Sequence, residues 1–258
     1  MRILVCVKRV PAPGARIALT ADERAVDTRN LGFTTSPHEE CAVEEAIRLV
    51  EAHGGDITVL TVGPPEAEEQ LRYAISVGAQ HAILVTNDIV ASGEDLDPQA
   101  TARSIVEAVH ALEAEAEPFD LLLFGNESAD SGGFQVGVRV ARALDRPIVN
   151  GIKAIEIADG ELTARRECDA GFEVYRLSLP AVVGVKEGIN LPRYATLPGR
   201  LRSKKAEVRS IPSAPPSGGL TMVRFSTPKV EVTETTVLGT GADAAGAVVD
   251  LIYELGLV

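Results

Sequence analysis

The sequence predicts an α/β protein with an open parallel sheet, helices on both faces, β-hairpin additions and an extended C-terminal tail. Three observations lead to this fold class. Short apolar runs alternate with amphipathic helical segments in the first half of the chain, as in βαβ units. The second half opens with strand patterns separated by turn residues. A stretch rich in Pro, Ser and Gly then precedes a tail with little material for its own core.

Four continuous apolar runs predict strands that are buried on both faces, as parallel sheets require: Ile3–Val7, Ile57–Val62, Ala82–Val85 and Leu121–Phe124. Amphipathic spacing predicts helices at Glu39–Glu51, Pro65–Val77, Pro98–Leu112 and Gly133–Leu144. Ligands of such sheets bind beyond the carboxyl ends of the strands. The candidate site therefore lies in the loops that follow Val7, Val62, Val85 and Phe124.

In the second half, Asp159-Gly160 predicts a hairpin turn between two strands, Gly151–Glu156 and Glu161–Cys168. Further strands are predicted at Phe172–Leu179 and Ala181–Val185. Ser210–Gly219 is typical of an exposed linker, and Ala242–Leu255 of a short helix. We therefore expect a main domain at residues 1–209 and an extended arm at residues 210–258 that docks on the main domain or on a partner.

Composition excludes several classes of protein. Only 4% of the 258 residues are aromatic and none is Trp, so a base-stacking platform for single-stranded nucleic acid is not expected. A net charge of −12 argues against a general polyanion binder. The three cysteines lie far apart and form no CxxC pair, which excludes a disulfide framework or zinc site. No apolar run has the length of a membrane span, and MRILVCVKRV enters a strand pattern at once, so we expect a cytoplasmic protein without membrane insertion.

The loop after Phe124 reads GNESADSGG, from Gly125 to Gly133, and leads into a predicted helix. Glycine permits close backbone approach, and free N–H groups at a helix N-terminus attract a phosphate. The alternative is an ordinary turn with Asp130 or Ser131 as the N-cap. The loop is neither a GxGxxG motif nor a P-loop.

The segment before the first predicted helix contains Ser36 and, three residues later, Glu39, which is the spacing of a capping box. His38 between them is a candidate ligand contact. Lys8 and Arg9 follow the first strand and either neutralise a nucleotide or are solvated. No set of nucleophile, base and orienting residue is visible, and no cluster of metal ligands. The residues alone thus predict a nucleotide-binding α/β domain without catalytic acid–base groups.

The segment Asn190–Lys205 reads NLPRYATLPGRLRSKK and resembles the recognition loop of electron transfer flavoprotein β subunits. Other segments resemble that family in the same order along the chain: VCVKRVP at Val5–Pro11, SPHEECAVEEAIRL at Ser36–Leu49, GNESAD at Gly125–Asp130 and RECDAGFEVYRLSLPAVVGV at Arg166–Val185. The resemblance covers nearly the whole chain, and PRYATLP combined with AVEEAIRL is highly specific.

The resemblance implies a fold of the adenine nucleotide α-hydrolase-like group and a heterodimer with a larger α subunit that holds most of the FAD. The β subunit itself would bind AMP or, in electron-bifurcating members, a second FAD. It would be an electron carrier rather than an enzyme, between acyl-CoA or other flavin dehydrogenases and a quinone oxidoreductase. The recognition loop, residues 187–205, would dock dehydrogenases through Arg193, Tyr194, Leu197 and Pro198, with Leu197 as the anchor. The arm at residues 210–258 would dock on the α subunit.

Carried over by position, the resemblance implies nucleotide contacts at Cys6, Ser36, Pro37, His38, Glu39, Val62, Gly125, Asn126, Glu127, Ser128, Ala129, Asp130, Gln135 and Val136. The AMP-type pattern has Asn-Gln-Thr where this chain has Phe134-Gln135-Val136, and Asn where it has Ser36. These departures leave AMP and FAD both open. The resemblance also implies that His38 would lie near the partner's flavin ring, a placement that the pH dependence of the flavin potential in His38→Phe would test.

Two alternatives to the simple carrier remain at this point. One is a bifurcating β subunit that binds its own FAD and oxidises NADH. The other is a nucleotide-binding regulatory module without a redox role. The PRYATLP loop argues against the regulatory module, because a free sensor needs no exposed anchor.

Overall fold

A computed structural model of the chain describes residues 1–214, 219–228 and 235–258. Its contacts form two compact units, Met1–Arg224 and Phe225–Val258. Among the described residues, no helix combines the length and apolar character needed to cross a bilayer. In the same part of the chain, no three His, Cys, Asp or Glu side chains are grouped as they would be around a metal ion.

The described strands, in chain order, are β1 (Arg2–Cys6), β2 (Val10–Pro11), β3 (Phe33–Thr34), β4 (Asp56–Val62), β5 (His81–Thr86), β6 (Leu121–Gly125), β7 (Ile148–Ala158), β8 (Glu161–Cys168), β9 (Gly171–Ser178), β10 (Ala181–Val185) and β11 (Val208–Pro212). The helices are α1 (Pro37–His53), α2 (Glu68–Val77), α3 (Asp88–Ala91), α4 (Pro98–Glu115), α5 (Val136–Ala143), α6 (Leu197–Lys205) and α7 (Ala245–Glu254). Short 3₁₀ turns precede α2 and α7, at Pro65–Ala67 and Gly241–Ala244.

Nine of the described strands form one sheet in the order β11-β5-β4-β1-β6-β10-β7-β8-β9. The pairs from β11 through β7 are parallel, and β7, β8 and β9 pair antiparallel. The short strands β2 and β3 form a separate antiparallel pair. An open, mostly parallel sheet with a hairpin extension confirms the predicted fold class.

Alternate residues of the central strand β1 face opposite sides of the sheet. Ile3 and Val5 lie in a core cluster with residues of α1 and α2. Leu4 and Cys6 lie in a second cluster with residues of α4 and α5. Burial on both faces explains the continuous apolar run at this strand and confirms the prediction of two helical layers.

The turn between β7 and β8 is Asp159-Gly160, as predicted. The two residues have φ angles of 51° and 78°, and Ala158 pairs with Glu161 across them. A two-residue loop with two positive φ angles matches the twist of the flanking strands, and Asp-Gly tolerates it well. This hairpin extends the sheet beyond its parallel part.

Three elements differ from their predictions. Helix α5 begins at Val136 instead of Gly133, because Gly132 and Phe134 have φ angles of 53° and 55° that no helix accommodates. The recognition segment, predicted as a loop, folds from Leu197 onward into α6, which Thr196 caps. Strand β11 occupies the start of the expected linker Ser210–Gly219, whose residues 215–218 lie outside the described part.

The expected division at residue 209 falls inside β11, which pairs with β5 along its whole length. The first compact unit continues to Arg224. In the second unit, α7 forms within the predicted helix Ala242–Leu255. The expected arm also spans residues 229–234, which the structure does not describe.

Candidate functional site

The start of α1 is joined to the end of β1 by Glu39. The Ser36 side chain accepts from the Glu39 N–H (3.4 Å), and the Glu39 carboxylate accepts from the Ser36 N–H (3.1 Å), which confirms the predicted capping box. The other carboxylate oxygen of Glu39 accepts from the Lys8 N–H at 3.1 Å. One buried carboxylate therefore holds a helix start against a strand end.

Gly125 at the end of β6 lets α1 approach the sheet closely. A Cβ atom at this position would lie 2.7 Å from Glu39 Cγ and 3.2 Å from His38 Cβ. Strand β1 has β4 on one side and β6 on the other, so the chain reverses its order along the sheet at β1. Ligands of open α/β sheets bind at such a reversal. The segments that meet there are Ser36–Glu39 and Gly125–Asp130.

Loop contacts close one side of this crevice. Lys8 Nζ lies 2.5 Å from Asp130 Oδ2, and the Ser36 hydroxyl donates to the Glu127 carbonyl at 3.4 Å. The Ser128 and Ser131 hydroxyls lie 2.8 Å apart. Burial opposes the ionisation of Asp130, yet the charge of Lys8 and the hydrogen bonds hold its pKa below the ordinary value. The crevice thus contains a fixed ion pair beside the helix start.

His38 joins the loop after β6 to the loop after β10. Its Nδ1 accepts from the Glu187 N–H at 2.8 Å, and its Nε2 lies 3.5 Å from Glu127 Oε1. A neutral imidazole whose Nδ1 accepts carries its proton on Nε2, which here faces a carboxylate. The ring is only 16% exposed. Its orientation is therefore set by contacts on both nitrogens.

The N-terminus of α5 has no side-chain cap. Its N-cap residue is Gln135, whose side-chain oxygen accepts from Arg139 Nε (3.3 Å) and Nη2 (3.0 Å) instead. The predicted alternative of Asp130 or Ser131 as the cap is wrong, because the helix starts later and both side chains bond elsewhere. The first N–H groups of any α-helix lack partners within the helix. The first turn of α5 lies against Phe124 near the carboxyl end of β6, since a Cβ at Gly137 would lie 3.2 Å from that ring.

The remaining predicted nucleotide contacts are distributed over both faces of the sheet. Cys6 belongs to the α4–α5 core cluster, and Val62 and Val136 pack against that cluster. Burial, with a smaller contribution from Glu39, raises the pKa of Cys6, so its thiol is not a nucleophile. The Asn126 N–H donates to the Val185 carbonyl at 2.8 Å. Pro37 is the first residue of α1, and Ala129 is exposed beside Asp130.

The predicted docking residues differ in whether their side chains are exposed or bonded within the chain. Tyr194 and Leu197 are 91% and 72% exposed, and Leu197 and Pro198 begin α6. Arg193 instead bonds within its own chain, to both carboxylate oxygens of Glu44 (2.9 and 3.0 Å) and both of Glu51 (2.7 and 3.0 Å). The segment before α6 is therefore fastened to α1 while its aromatic and apolar side chains face outward.

Comparisons with known proteins identify the family of this chain. The family described as Electron transfer flavoprotein domain matches residues 25–216. The chain is 34% identical over 211 residues to the electron transfer flavoprotein subunit beta of Bacillus subtilis, covering 82% of this chain and 79% of the relative. It is 35% identical over 212 residues to the human subunit beta, covering 82% and 81%. Protein FixA of Sinorhizobium fredii is 31% identical over 211 residues, covering 81% and 73%.

The chain belongs to the electron transfer flavoprotein β-subunit family. The resemblance drawn from PRYATLP and AVEEAIRL is thereby confirmed. Two residues of the crevice are not among the predicted site residues: Lys8, whose role the sequence leaves open, and Glu187. Lys8 was detectable as a charge directly after a buried strand, whereas Glu187 contributes only its backbone N–H and left no signal. Arg9 packs on the Phe33 ring, with its guanidinium carbon 3.2 Å from the ring centroid, and so does not enter the crevice.

The ionisation of Glu39 should make the stability of this protein depend on pH. Burial raises the pKa of Glu39 from 4.5 to about 8, although the Ser36 and Lys8 backbone bonds oppose the shift. The folded state then binds a proton that the unfolded state has lost. The stabilisation that this proton contributes is therefore full below pH 4.5 and is lost as the pH rises toward 8. We expect the free energy of unfolding to fall by about 1 kcal/mol per pH unit between pH 5 and 8.

Urea unfolding at a series of pH values measures this slope. Glu39→Gln should be less stable at pH 5, because an amide cannot replace both acceptor oxygens, but its slope should be flatter. Glu94→Gln, an exposed change of the same kind, should keep the wild-type slope. Parallel plots of unfolding free energy against pH for wild type and Glu39→Gln would show that the slope does not come from Glu39.

Proposed function

We propose that this chain is the small subunit of a heterodimeric electron transfer flavoprotein that carries electrons from flavin dehydrogenases to a quinone oxidoreductase in the cytoplasm. Its partner would be the α subunit, which would hold most of the FAD. The names of the relatives support the family role, and the crevice supports binding of an adenine nucleotide by this subunit. The observation that carries the nucleotide proposal is the uncapped N-terminus of α5 at the carboxyl end of β6.

An adenine nucleotide fits the residues present. The free N–H groups at Val136 and Gly137 suit a phosphate, and a Cβ at Gly137 would lie 3.2 Å from the Phe124 ring, so this turn packs closely on the strand. Lys8 adds a positive charge that Asp130 already holds in place. The adenine would contact backbone and small apolar side chains, since the described crevice residues include no Trp and no Tyr. When bound to the heterodimer, FAD supplies the redox chemistry, and this chain binds and orients.

The simple carrier and the bifurcating subunit differ in the nucleotide that this crevice holds. Co-purification with the α subunit, denaturation and chromatography of the released nucleotides distinguishes them. One FAD and one AMP per heterodimer indicates the carrier that we propose. Two FAD without AMP indicates the bifurcating type, and a colourless monomer that retains a nucleotide contradicts both.

A charge substitution at the α5 N-terminus tests the phosphate position. Gln135→Asp places a carboxylate where the phosphate would lie, and we expect the nucleotide content of the heterodimer to fall at least tenfold, since one like charge at close range costs about 1.4 kcal/mol or more. Gln135→Asn, which keeps the amide, should retain the nucleotide. Equal nucleotide content in the two variants would refute the proposed phosphate position.

A further inference from the structure

A narrow recess lies between α1 and α2, beside the segment that leads to Leu197. It encloses about 330 Å³ of space together with its open mouth, and its interior leaves about 10 Å³ for water-sized groups. Its walls include apolar Val43 and Val77 and polar Glu40, Gln70 and Tyr73. An interior of that size accommodates a single water or one compact charged group.

One acceptor in this recess lacks a donor, and a second has only a weak one. Gln70 is only 4% exposed, and its buried Oε1 has no hydrogen-bond partner in the structure. The Glu40 carboxylate has a single described contact, a weak bond from the Thr35 hydroxyl at 3.5 Å. Its neighbour Glu44 is saturated by Arg193. A buried acceptor without a donor costs free energy, so a donor entering this recess would recover it.

The electrostatics of the recess favour a cation. Burial raises the pKa of Glu40, and the nearby Glu187 adds to the shift. Tyr73 lines the recess, and burial, followed by the charge of Glu40, raises the pKa of its hydroxyl. Apolar walls with a carboxylate, an amide oxygen and an aromatic ring fit a cation on a hydrocarbon stem.

We propose that this recess binds a lysine side chain of the redox partner protein that docks over Leu197, an inference that rests on the proposed carrier function. The lysine stem packs between Val43 and Val77, and its ammonium donates to Glu40 and Gln70. The compact ammonium fits the narrow interior, whereas the planar guanidinium of arginine is too wide.

The recess is continuous with the proposed docking face. Pro192 and Arg193 line the recess, and the residues on either side of them, Leu191 and Tyr194, are 90% and 91% exposed. A partner that covers these side chains and Leu197 therefore covers the mouth of the recess. A charged group enclosed beside an apolar anchor confers specificity on an interface.

Binding of small probes to the heterodimer tests the recess without any dehydrogenase. We expect n-butylammonium to cause saturable NMR shifts of the Val43 and Val77 methyl groups, and n-butanol and n-butylguanidinium to bind at least tenfold more weakly. Glu40→Gln should weaken n-butylammonium about tenfold, the effect of removing one partly enclosed charge partner. Glu94→Gln should leave it unchanged. Equal binding of butanol, or equal binding to Glu40→Gln, would overturn the proposal.

A second variant separates binding from folding. Gln70→Leu keeps the side-chain volume and removes the orphan acceptor, so it should weaken n-butylammonium binding while Tm stays equal or rises. Unchanged ammonium binding in this variant would exclude Gln70 from the site.

Zero-length cross-linking then tests the occupant, with an acyl-CoA dehydrogenase from the same organism as the probe. A carbodiimide activates the Glu40 carboxylate, a partner lysine amine attacks it, an amide bond forms, and the urea leaves. We expect a Glu40–lysine peptide that Glu40→Gln abolishes. Electron transfer without this cross-link would refute the lysine proposal and leave the carrier function intact. Saturable ammonium binding in a protein that accepts no electrons would refute the carrier function instead.

Discussion

Replacing Leu197 with alanine should lower kcat/KM for electron transfer from an acyl-CoA dehydrogenase to the heterodimer by about 100-fold, close to 2.7 kcal/mol. Leu197 is 72% exposed at the first position of α6, where the Thr196 cap fixes the start of the helix. A Cβ at Gly199 would lie 2.1 Å from the Ser76 carbonyl oxygen, so the helix lies tightly against α2. A rigidly held apolar side chain loses little entropy when it enters a partner's pocket.

The measurement compares the heterodimer and an artificial dye as electron acceptors of the same dehydrogenase. The dye reaction should not change, because it needs no docking. The matched control is Leu220→Ala, which removes an 81% exposed leucine outside the docking segment and should leave the rate within twofold of wild type. A thermal unfolding scan should show equal Tm values, since exposed side chains contribute little to stability. A kcat/KM for Leu197→Ala close to that of wild type would refute the role of Leu197 as the anchor.

The parts of the fold that sequence reasoning predicted are those with a local physical signature. The run Ile3–Val7 is apolar throughout because both faces of β1 are covered, and that pattern needs no knowledge of its neighbours. Ser36 and Glu39 form the capping box because their spacing alone brings the two side chains to each other's backbone N–H. Asp159-Gly160 likewise predicts its turn locally, because both residue types tolerate the positive φ angles that the turn requires.

The contacts that escaped prediction connect residues far apart in the chain. Lys8 and Asp130 are 122 residues apart, and each alone has the pattern of a solvated charge. The unpaired start of α5 depends on Phe134 at a positive φ, a conformation that a large side chain rarely adopts and that no local pattern predicts. The second half of strand β11 falls in the stretch rich in Pro, Ser and Gly that predicts a linker from Ser210 onward, and only pairing with β5 defines the strand.

Arg193 illustrates the same limit, and its substitution should have the largest effect on stability. The family resemblance implies a docking role for Arg193, but its guanidinium bonds to Glu44 and Glu51 of α1. These hydrogen bonds raise the pKa of Arg193, which indicates that the folded protein favours its charge. The Glu44 side chain is 8% exposed. Arg193→Ala therefore leaves a buried carboxylate without a cation, which costs about 3 kcal/mol.

Urea unfolding of the purified chain measures this loss, and the matched control is Arg165→Ala. Arg165 pairs with Glu156 at 3.3 Å on the surface, where both side chains are at least half exposed, so its removal should cost less than about 1 kcal/mol. Adding Glu44→Gln to Arg193→Ala should recover part of the stability, because the uncompensated charge is then removed. A double variant no more stable than Arg193→Ala would show that the loss is one of packing.

Arg193→Ala also tests whether Arg193 acts by positioning Leu197 or by contacting the partner directly. Freed from α1, the segment Leu191–Thr196 would lose its fixed path, and Leu197 would lose the orientation that makes it an effective anchor. We expect Arg193→Ala to raise KM for the heterodimer in the dehydrogenase assay about tenfold with little change in kcat, through position rather than contact. Arg193→Lys keeps the charge but offers no forked donor to two carboxylates, so it should give intermediate values. A rise in KM without any loss of stability in Arg193→Ala would instead assign Arg193 to direct contact with the partner.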